Sequence, residues 1–263
     1  MNRLKAAMAE KGMIAAAWAG LGSADVVEIM VRHGWRTIII DGEHGLGDLE
    51  TWVHMARAIE AAGGEVILRL PDGLDTTIKK ALDRGFRSFI VPMISSAAQA
   101  QAVMASFHYP PTGKRGYAAP VLRCSDWGSR PGYARDEAAE DLFVMLQCED
   151  VAAVAALEEI VTVPGIGAIF LGPNDLAASA GHLERMDHPE VHALFARVEA
   201  VVTRAGLPMA TVRGGGRDWQ DLEALGFRLV AGVTDVGMLV DGLHRETAAL
   251  KGQSDAAATL PRY

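Results

Sequence analysis

The chain has 263 residues, and its 33 acidic against 25 basic side chains give a formal net charge of −8. Of these residues 50% are hydrophobic and 22% charged, which is typical of globular proteins and excludes disordered and collagen-like classes. The acidic balance disfavours nucleic acids and anionic membranes as partners, since both require a basic surface. Cys124 and Cys148 have no CxxC or His spacing, which indicates no disulfide framework or thiolate metal site and favours the cytoplasm.

The N-terminus superficially resembles a secretory signal peptide, because Arg3 and Lys5 precede the apolar residues 13–21. Two charged residues and a glycine at 10–12 interrupt the stretch between these basic residues and the apolar run, however. The apolar residues before the interruption recur at helical spacing: Leu4, Ala7 and Met8. No apolar run approaches the ~20 residues of a membrane span. We therefore expect neither a signal peptide nor a membrane anchor.

Short β-rich apolar runs alternate with amphipathic stretches along the whole chain, without a dividing linker. The runs predict eight strands, over 14–19, 37–41, 65–70, 88–93, 141–147, 166–171, 208–212 and 228–233. The i, i+3, i+4 pattern predicts helices over 24–33, 49–62, 76–84, 97–107, 151–160, 189–205, 219–225 and 236–251. Eight β/α units in about 250 residues predict a single-domain (β/α)8 TIM barrel over residues 1–263. A doubly wound sheet is the alternative, but no GxGxxG opens the first helix.

Residues 108–135 lack periodicity and are rich in Gly, Pro, Arg and aromatic residues. They are predicted as a long loop after strand four, and loops of such length in compact folds are usually functional. In a barrel this loop would lie over the carboxyl ends of the strands, where active sites form.

Polar residues lie at the carboxyl ends of four of the predicted strands. Strand two runs into Asp41-Gly42-Glu43-His44, strand three ends at Arg69, strand five ends at Gln147-Cys148-Glu149-Asp150, and strand six runs into Gly172-Pro173-Asn174-Asp175. Singly, such an Asp is usually a helix N-cap, and such an Arg a surface ion-pair residue. A barrel points all four strand ends into one mouth, so their coincidence favours a functional cluster.

Two carboxylates with few nearby cations suit a hard divalent cation such as Mg²⁺ or Mn²⁺. Two protein ligands leave open positions for a substrate that chelates through oxygen. A 2-oxo acid does so with its carboxylate and keto oxygens, and the metal then acts as a Lewis acid for the enolate.

Five segments carry a resemblance over most of the chain, from about Leu21 to Leu239. They are DGEHG, VPM, YPPTGKRGY, QCED and LGPNDLAASAG, in that order. The sequence thereby resembles the HpcH/HpaI aldolases, metal-dependent pyruvate aldolases that include 4-hydroxy-2-oxoheptanedioate aldolase and 2-dehydro-3-deoxyglucarate aldolase. The resemblance implies a (β/α)8 barrel that assembles as a homohexamer with exchanged C-terminal helices, which here would be 236–250. It also implies a divalent cation, Mg²⁺, Mn²⁺ or Co²⁺, as cofactor.

The resemblance further implies the roles of individual residues. Glu149 and Asp175 would bind the metal, His44 would be the base, and Arg69 would stabilise the enolate. The pyruvate site would be lined by Gln147, Gly172, Asn174 and Asp175. The family pairs its base with an Asp that matches Asp83, which our prediction places at the end of a helix on the far side of the barrel. Reaching His44 would then require another path, such as a subunit contact.

The aldehyde is expected to meet the loops after strands four and seven, which contain Arg115, Arg123 and Arg213. We expect Arg123 and Arg213 to favour a polar or carboxylate-bearing aldehyde, although each could instead form surface ion pairs. The sequence leaves open whether pyruvate or hydroxypyruvate is the donor.

Three other functions compete with a metal-dependent aldolase. A Schiff-base aldolase needs a buried Lys, but none of the six lysines falls on a predicted strand. A lyase of acyl-coenzyme A esters on a related barrel needs a basic site for the nucleotide phosphates, with these candidates: Lys114, Arg115, Arg123 and Arg130. The third is a non-catalytic metabolite-binding barrel.

Overall fold

The computed structural model describes residues 2–251. Eight parallel strands close into one barrel in chain order, and the last pairs with the first. The strands are β1 Ile14–Ala19, β2 Thr37–Asp41, β3 Glu65–Arg69, β4 Ser88–Val91, β5 Phe143–Cys148, β6 Ala168–Leu171, β7 Met209–Val212 and β8 Phe227–Thr234. The predicted (β/α)8 barrel is confirmed. Met1 and residues 252–263 of the predicted domain lie outside the described residues.

Helices follow the strands around the barrel. Within residues 2–251 they are α1 Arg3–Ala9, α2 Ala24–Arg32, α3 Leu49–Ala61, α4 Asp75–Asp83, α5 Ala97–Phe107, α6 Tyr133–Asp136, α7 Val151–Ile160, α8 Pro173–Ser179, α9 Pro189–Ala205, α10 Trp219–Ala224 and α11 Asp235–Leu250. Three of them, α1, α6 and α8, were not predicted. They have 7, 4 and 7 residues. Helical spacing was seen in α1, at Leu4, Ala7 and Met8, but such short segments do not give a full amphipathic pattern. No described helix has the length and hydropathy to span a membrane.

Alternate residues of each strand face two different apolar layers. On β2, Ile38 and Ile40 pack outward against the helices, whereas Ile39 packs inside the barrel with Trp18 and Phe170. Both layers exclude water, so the strands are apolar on both faces. This explains why continuous hydrophobic runs, and not alternating ones, marked the strands.

Helix α1 closes one end of the barrel. Leu4 and Met8 belong to its inner apolar cluster. The Asn2 side-chain amide donates to Ser88 Oγ over 2.9 Å and to the Asp141 carbonyl oxygen over 3.0 Å. Ser88 begins β4 and Asp141 precedes β5, so α1 covers the amino ends of the strands. The carboxyl ends remain open and form the mouth.

The connection after β4 differs from its prediction in two ways. The strand ends at Val91 and not at Met93, because Pro92 has no N–H for the ladder and Met93 adopts a left-handed backbone conformation with φ 57°. The predicted loop 108–135 also contains short helical structure: α6 and two 3-10 turns, at Ala119–Val121 and Arg123–Ser125.

Candidate active site

Arg69, at the end of β3, is buried in the mouth with its guanidinium 4.5 Å above the Trp18 ring. Its Nε and Nη2 donate to the two oxygens of Asp41, over 3.0 and 2.7 Å. Its Nη1 lies 3.0 Å from Glu43 Oε2. Asp41 and Arg69 are register partners on β2 and β3, so strand pairing itself brings the pair together. The guanidinium is thereby fixed in one orientation.

The Asp41 carboxylate also shapes the turn that follows β2. Its Oδ1 accepts hydrogen bonds from the backbone N–H groups of Glu43 and His44, each over 3.1 Å. Burial acts to raise the pKa of Asp41, but the hydrogen bond and charge of Arg69 outweigh it and hold the pKa below its usual value. A Cβ at Gly45 would lie 2.3 Å from the Asp41 carbonyl oxygen, so only glycine fits there.

His44 lies on the rim of the mouth. Its side chain is 69% exposed, and its Nε2 is 4.0 Å from Glu43 Oε2. The Asp41 bond fixes its backbone while leaving the imidazole accessible. Burial is the main cause that raises the pKa of Glu43. The arrangement leaves the His44 ring accessible to a bound molecule.

Glu149, at the start of the segment after β5, is 2% exposed. Its Oε1 accepts from the Met93 N–H over 2.6 Å, and its Oε2 accepts from the Gln147 amide. Burial raises the pKa of Glu149 to about 7, and the nearby carboxylates of Asp175 and Glu43 add to the rise. Among the described residues, no cationic side chain forms an ion pair with this carboxylate.

Asp175 lies in the first turn of α8, whose N-cap is Gly172. The alternative that Asp175 merely caps a helix is therefore wrong, whereas Asp150 does cap α7 by accepting from the Ala153 N–H. A Cβ at Gly172 would lie 2.7 Å from Glu149 Cβ, so glycine lets the two strand ends approach. Asn174 precedes Asp175 and is half-buried.

Gln147 points into the barrel from β5 and is 3% exposed. Its amide nitrogen donates to Glu149, but its buried Oε1 has no hydrogen-bond partner among residues 2–251. A buried amide oxygen without a partner is costly. This atom therefore marks a place where a bound molecule or water completes the site.

Asp83 is at the end of α4, as predicted. Its carboxylate accepts from Arg115 Nη2 over 3.1 Å, and Arg115 is itself buried against the Tyr109 ring. Within the described chain, Asp83 makes no contact with His44. Its pairing with the base stays a prediction that would require another subunit.

Arg123 corrects a prediction, because it does not reach the mouth of its own chain. Its Nη1 donates to the Arg84 carbonyl oxygen over 2.8 Å, and its Nη2 donates to Glu60 over 2.7 Å. Both partners lie where α3 and α4 end, at the amino ends of the strands. The long loop thus descends along the barrel wall, which its length alone could not reveal.

Arg213 does follow β7 at the mouth. Its guanidinium stacks on Trp219 at 5.2 Å from the ring centroid, and its Nη1 lies 3.4 Å from Asp218 Oδ1. Its contact with an aldehyde stays a prediction.

A second group of possible metal ligands lies between the end of α8 and the first turn of α9, at His182, His188 and Glu190. The two imidazoles stack at 3.6 Å with an angle of 18° between their planes, and His182 Nε2 is 2.7 Å from Glu190. Nearly parallel rings direct their lone pairs along parallel planes and not toward one ion. We interpret this group as an ion pair with a stacked neighbour.

Sequence reasoning listed Asp41 and Glu43 at the end of strand two but did not link them to Arg69, and it missed Trp18. Only the strand register pairs Asp41 with Arg69, and no local pattern encodes a register. Met93 was missed for a similar reason, since its contribution is a backbone N–H.

Known proteins match this chain over most of its length. The family model for HpcH/HpaI aldolase/citrate lyase matches residues 15–241. A hydroxypyruvate/pyruvate aldolase of Agrobacterium fabrum is 35% identical over 253 residues, which are 96% of this chain and 95% of the relative. A 4-hydroxy-2-oxovalerate aldolase of Novosphingobium aromaticivorans is 35% identical over 250 residues, 93% of this chain and 94% of the relative.

A solved structure extends the similarity to three dimensions. The crystal structure of an HpcH/HpaI aldolase/citrate lyase family protein from Burkholderia cenocepacia superimposes with a TM-score of 0.90 at 30% identity. The match covers 95% of this chain and 100% of that one. The chain therefore belongs to the HpcH/HpaI aldolase/citrate lyase family.

Proposed function

We propose that this chain is a divalent-metal-dependent aldolase that reversibly cleaves 4-hydroxy-2-oxo acids into pyruvate, or hydroxypyruvate, and an aldehyde. The observation that carries the proposal is the meeting of three unlike groups at one mouth. They are the buried carboxylate of Glu149, the fixed guanidinium of Arg69 and the accessible imidazole of His44. The aldolases that match over most of the chain support the same chemistry.

The mouth fits a hard divalent cation. The hydrogen bonds to Glu149 come from neutral donors, and Asp175 and Glu43 raise its pKa by repulsion. A buried carboxylate in this setting lacks an opposite charge, which a cation would supply. Glu149 and Asp175 would hold Mg²⁺, Mn²⁺ or Co²⁺. When bound, the cation supplies Lewis-acid polarisation of the 2-oxo acid.

Each side chain of the mouth then has a separate role in the reaction. His44 accepts the proton of the 4-hydroxyl group, the C3–C4 bond breaks, and the aldehyde leaves. The electrons of the broken bond pass to the pyruvate enolate, which Arg69 stabilises by charge and hydrogen bonding. Reprotonation of the enolate releases pyruvate. Gln147, Gly172 and Asn174 line the pyruvate end, and Arg213 stays the candidate for a remote carboxylate on the aldehyde.

A Schiff-base mechanism is disfavoured by the positions of the lysines. In the structure none of the six lies on a strand: Lys5, Lys11, Lys79, Lys80, Lys114 and Lys251. Amine catalysis requires a desolvated Lys within reach of the substrate carbonyl.

An acyl-coenzyme A lyase is disfavoured by the pairing of the basic loop residues. Arg115 binds Asp83, Arg123 binds Glu60, and Arg130 binds Glu137. Lys114 is left at 4.0 Å from Asp75. These cations are already neutralised, and they do not form a free basic patch for nucleotide phosphates.

Assembly and location complete the proposal. Helix α11 exposes apolar side chains that a partner subunit could cover: Val236, Leu239, Leu243 and Leu250. These support a homo-oligomer, and the family resemblance points to a hexamer with exchanged C-terminal helices. Cys124 and Cys148 are free and buried thiols, which is compatible with the reducing cytoplasm.

Chelation tests the proposed cofactor and the reaction together. We expect pyruvate and a panel of aldehydes to be condensed by the purified protein, with activity lost in EDTA and restored by Mg²⁺, Mn²⁺ or Co²⁺. Activity that survives exhaustive chelation, or trapping of pyruvate by borohydride, would show a Schiff-base enzyme. A protein that binds pyruvate but turns over no aldehyde would be the metabolite-binding barrel.

Replacing Arg69 by Lys is expected to lower kcat/KM for aldol cleavage by roughly 10²-fold. A single ammonium group cannot bind both oxygens of Asp41 and still face Glu43 and the substrate, as the guanidinium fork can. Steady-state kinetics of Arg69→Lys and of the exposed control Arg57→Lys measure the effect. Equal rates in both variants would contradict the fork argument.

A further inference from the structure

The turn at residues 92–96, here called the Met93 turn, provides one of the two hydrogen bonds to Glu149 and is held in an unfavourable conformation. Met93 has φ 57°, a backbone conformation that residues with a Cβ rarely adopt, and the residue is 51% exposed. Its N–H nevertheless reaches Glu149 Oε1 over 2.6 Å. The packing of the Met93 side chain does not account for this conformation, so another group must hold the turn.

That group is the side-chain amide of Gln99, on the first turn of α5. Its Nε2 donates to the Met93 carbonyl oxygen over 2.8 Å, and its Oε1 accepts from the Ser95 N–H over 2.9 Å. Both ends of one amide therefore bind the turn on either side of Ile94. The Met93 carbonyl and N–H are thereby turned in opposite directions, the carbonyl to Gln99 and the N–H to Glu149.

Helix capping explains only part of this arrangement. Ser96 is the N-cap of α5, and its Oγ accepts from the Gln99 N–H over 3.2 Å. A Gln three residues after a Ser cap commonly reaches back to a backbone N–H, as Gln99 does to Ser95. The second bond, from Gln99 Nε2 to Met93, satisfies no group of the helix. It serves the Met93 turn alone.

Two further bonds attach the Met93 turn to the segment that carries Glu149. Ser95 Oγ donates to Asp150, and the Ile94 N–H donates to the Gln147 carbonyl oxygen over 3.4 Å. These bonds fix the distance between the turn and the end of β5. They do not set the direction of the Met93 N–H. That direction depends on the bond between Gln99 Nε2 and the Met93 carbonyl oxygen.

We propose that Gln99 is a positioning residue for Glu149, acting through the Met93 N–H. The inference rests on the proposed function, in which Glu149 is a metal ligand. Removing a group that hydrogen-bonds to a metal ligand, or that positions such a group, typically lowers metal affinity by 10- to 100-fold. Gln99 itself is exposed on α5 and would touch neither the cation nor the substrate.

The test is a titration of the metal-free protein with Mn²⁺, followed by the electron paramagnetic resonance signal of the free ion. Gln99→Met keeps the length of the side chain and removes both hydrogen bonds. We expect it to raise the Kd for Mn²⁺ about tenfold or more. Gln101→Met, two residues further along α5 on an exposed position, should leave the Kd unchanged.

Ser96→Ala separates positioning from capping. It removes the N-cap and should lower the melting temperature as much as Gln99→Met does, yet the amide of Gln99 still holds the turn. We therefore expect its Kd for Mn²⁺ to equal that of the unchanged protein. If Ser96→Ala weakens Mn²⁺ as much as Gln99→Met, the effect is helix stability and the proposal is wrong.

Titration of Glu149→Gln with Mn²⁺ separates the ligand role of Glu149 from the positioning role of Gln99. If this variant binds Mn²⁺ like the unchanged protein, Glu149 is not a ligand and the proposed function loses its metal site. If it loses Mn²⁺ while Gln99→Met binds normally, the ligand assignment stands and the positioning role of Gln99 is overturned.

Discussion

Glu149→Gln is expected to reduce metal-dependent aldol cleavage by on the order of 10³-fold or more, because polarisation by a cation contributes several kcal/mol. The amide keeps the size and the buried position of the carboxylate but cannot supply its charge. Turnover at saturating Mg²⁺ measures the loss, with Glu223→Gln on the exposed face of α10 as the matched control. Near-normal turnover in Glu149→Gln would mean that the cation, if required, binds elsewhere.

The same variant should stabilise the metal-free protein at alkaline pH. Burial raises the pKa of Glu149 to about 7 from an ordinary 4.5, so the folded state binds this proton more tightly than the unfolded chain. Stability therefore falls as pH rises between these values, and above pH 7 the ionised group costs up to about 3 kcal/mol. We expect Glu149→Gln to melt above the unchanged protein at pH 8 and equally near pH 4.5. A difference that is independent of pH would contradict the buried-charge explanation.

The barrel could be predicted because its signal repeats. Eight buried strands exclude water on both faces, so each produces a short apolar run, and eight amphipathic helices separate the runs. The predicted strand boundaries were wrong where a local backbone feature ended the strand early. Strand β4 was predicted two residues too long because the apolar run continues through Pro92 and Met93, while the ladder cannot.

The site could be predicted in part, because a barrel brings the ends of its strands together whatever their separation in sequence. That rule correctly placed His44, Arg69, Glu149 and Asp175 at the mouth. It failed for Arg123, which belongs to a loop and not to a strand end, and loop paths depend on contacts such as that with Glu60. It also gave no sign of the bond from the Met93 N–H, since backbone groups have no sequence signature.

His44→Ala is expected to slow aldol cleavage by on the order of 10² to 10⁴, the usual size of a general-base contribution. The structure indicates that this substitution leaves the surrounding fold unchanged. The imidazole is 69% exposed, and Asp41 holds the backbone N–H of residue 44, a bond that alanine keeps. We therefore expect an unchanged melting temperature and an unchanged affinity for Mn²⁺.

Pyruvate binding decides what kind of residue His44 is. If it is a base on the rim, pyruvate should still bind to the metal-loaded variant, since Arg69 and the ligand carboxylates are untouched; calorimetric titration measures this. His54→Ala, on the exposed face of α3, controls for loss of a surface imidazole. A variant that loses pyruvate affinity together with rate would show that His44 holds the substrate. A variant with reduced kcat and preserved pyruvate affinity would show that His44 contributes to proton transfer. The bound state is then the same, and only the step that needs a base has changed.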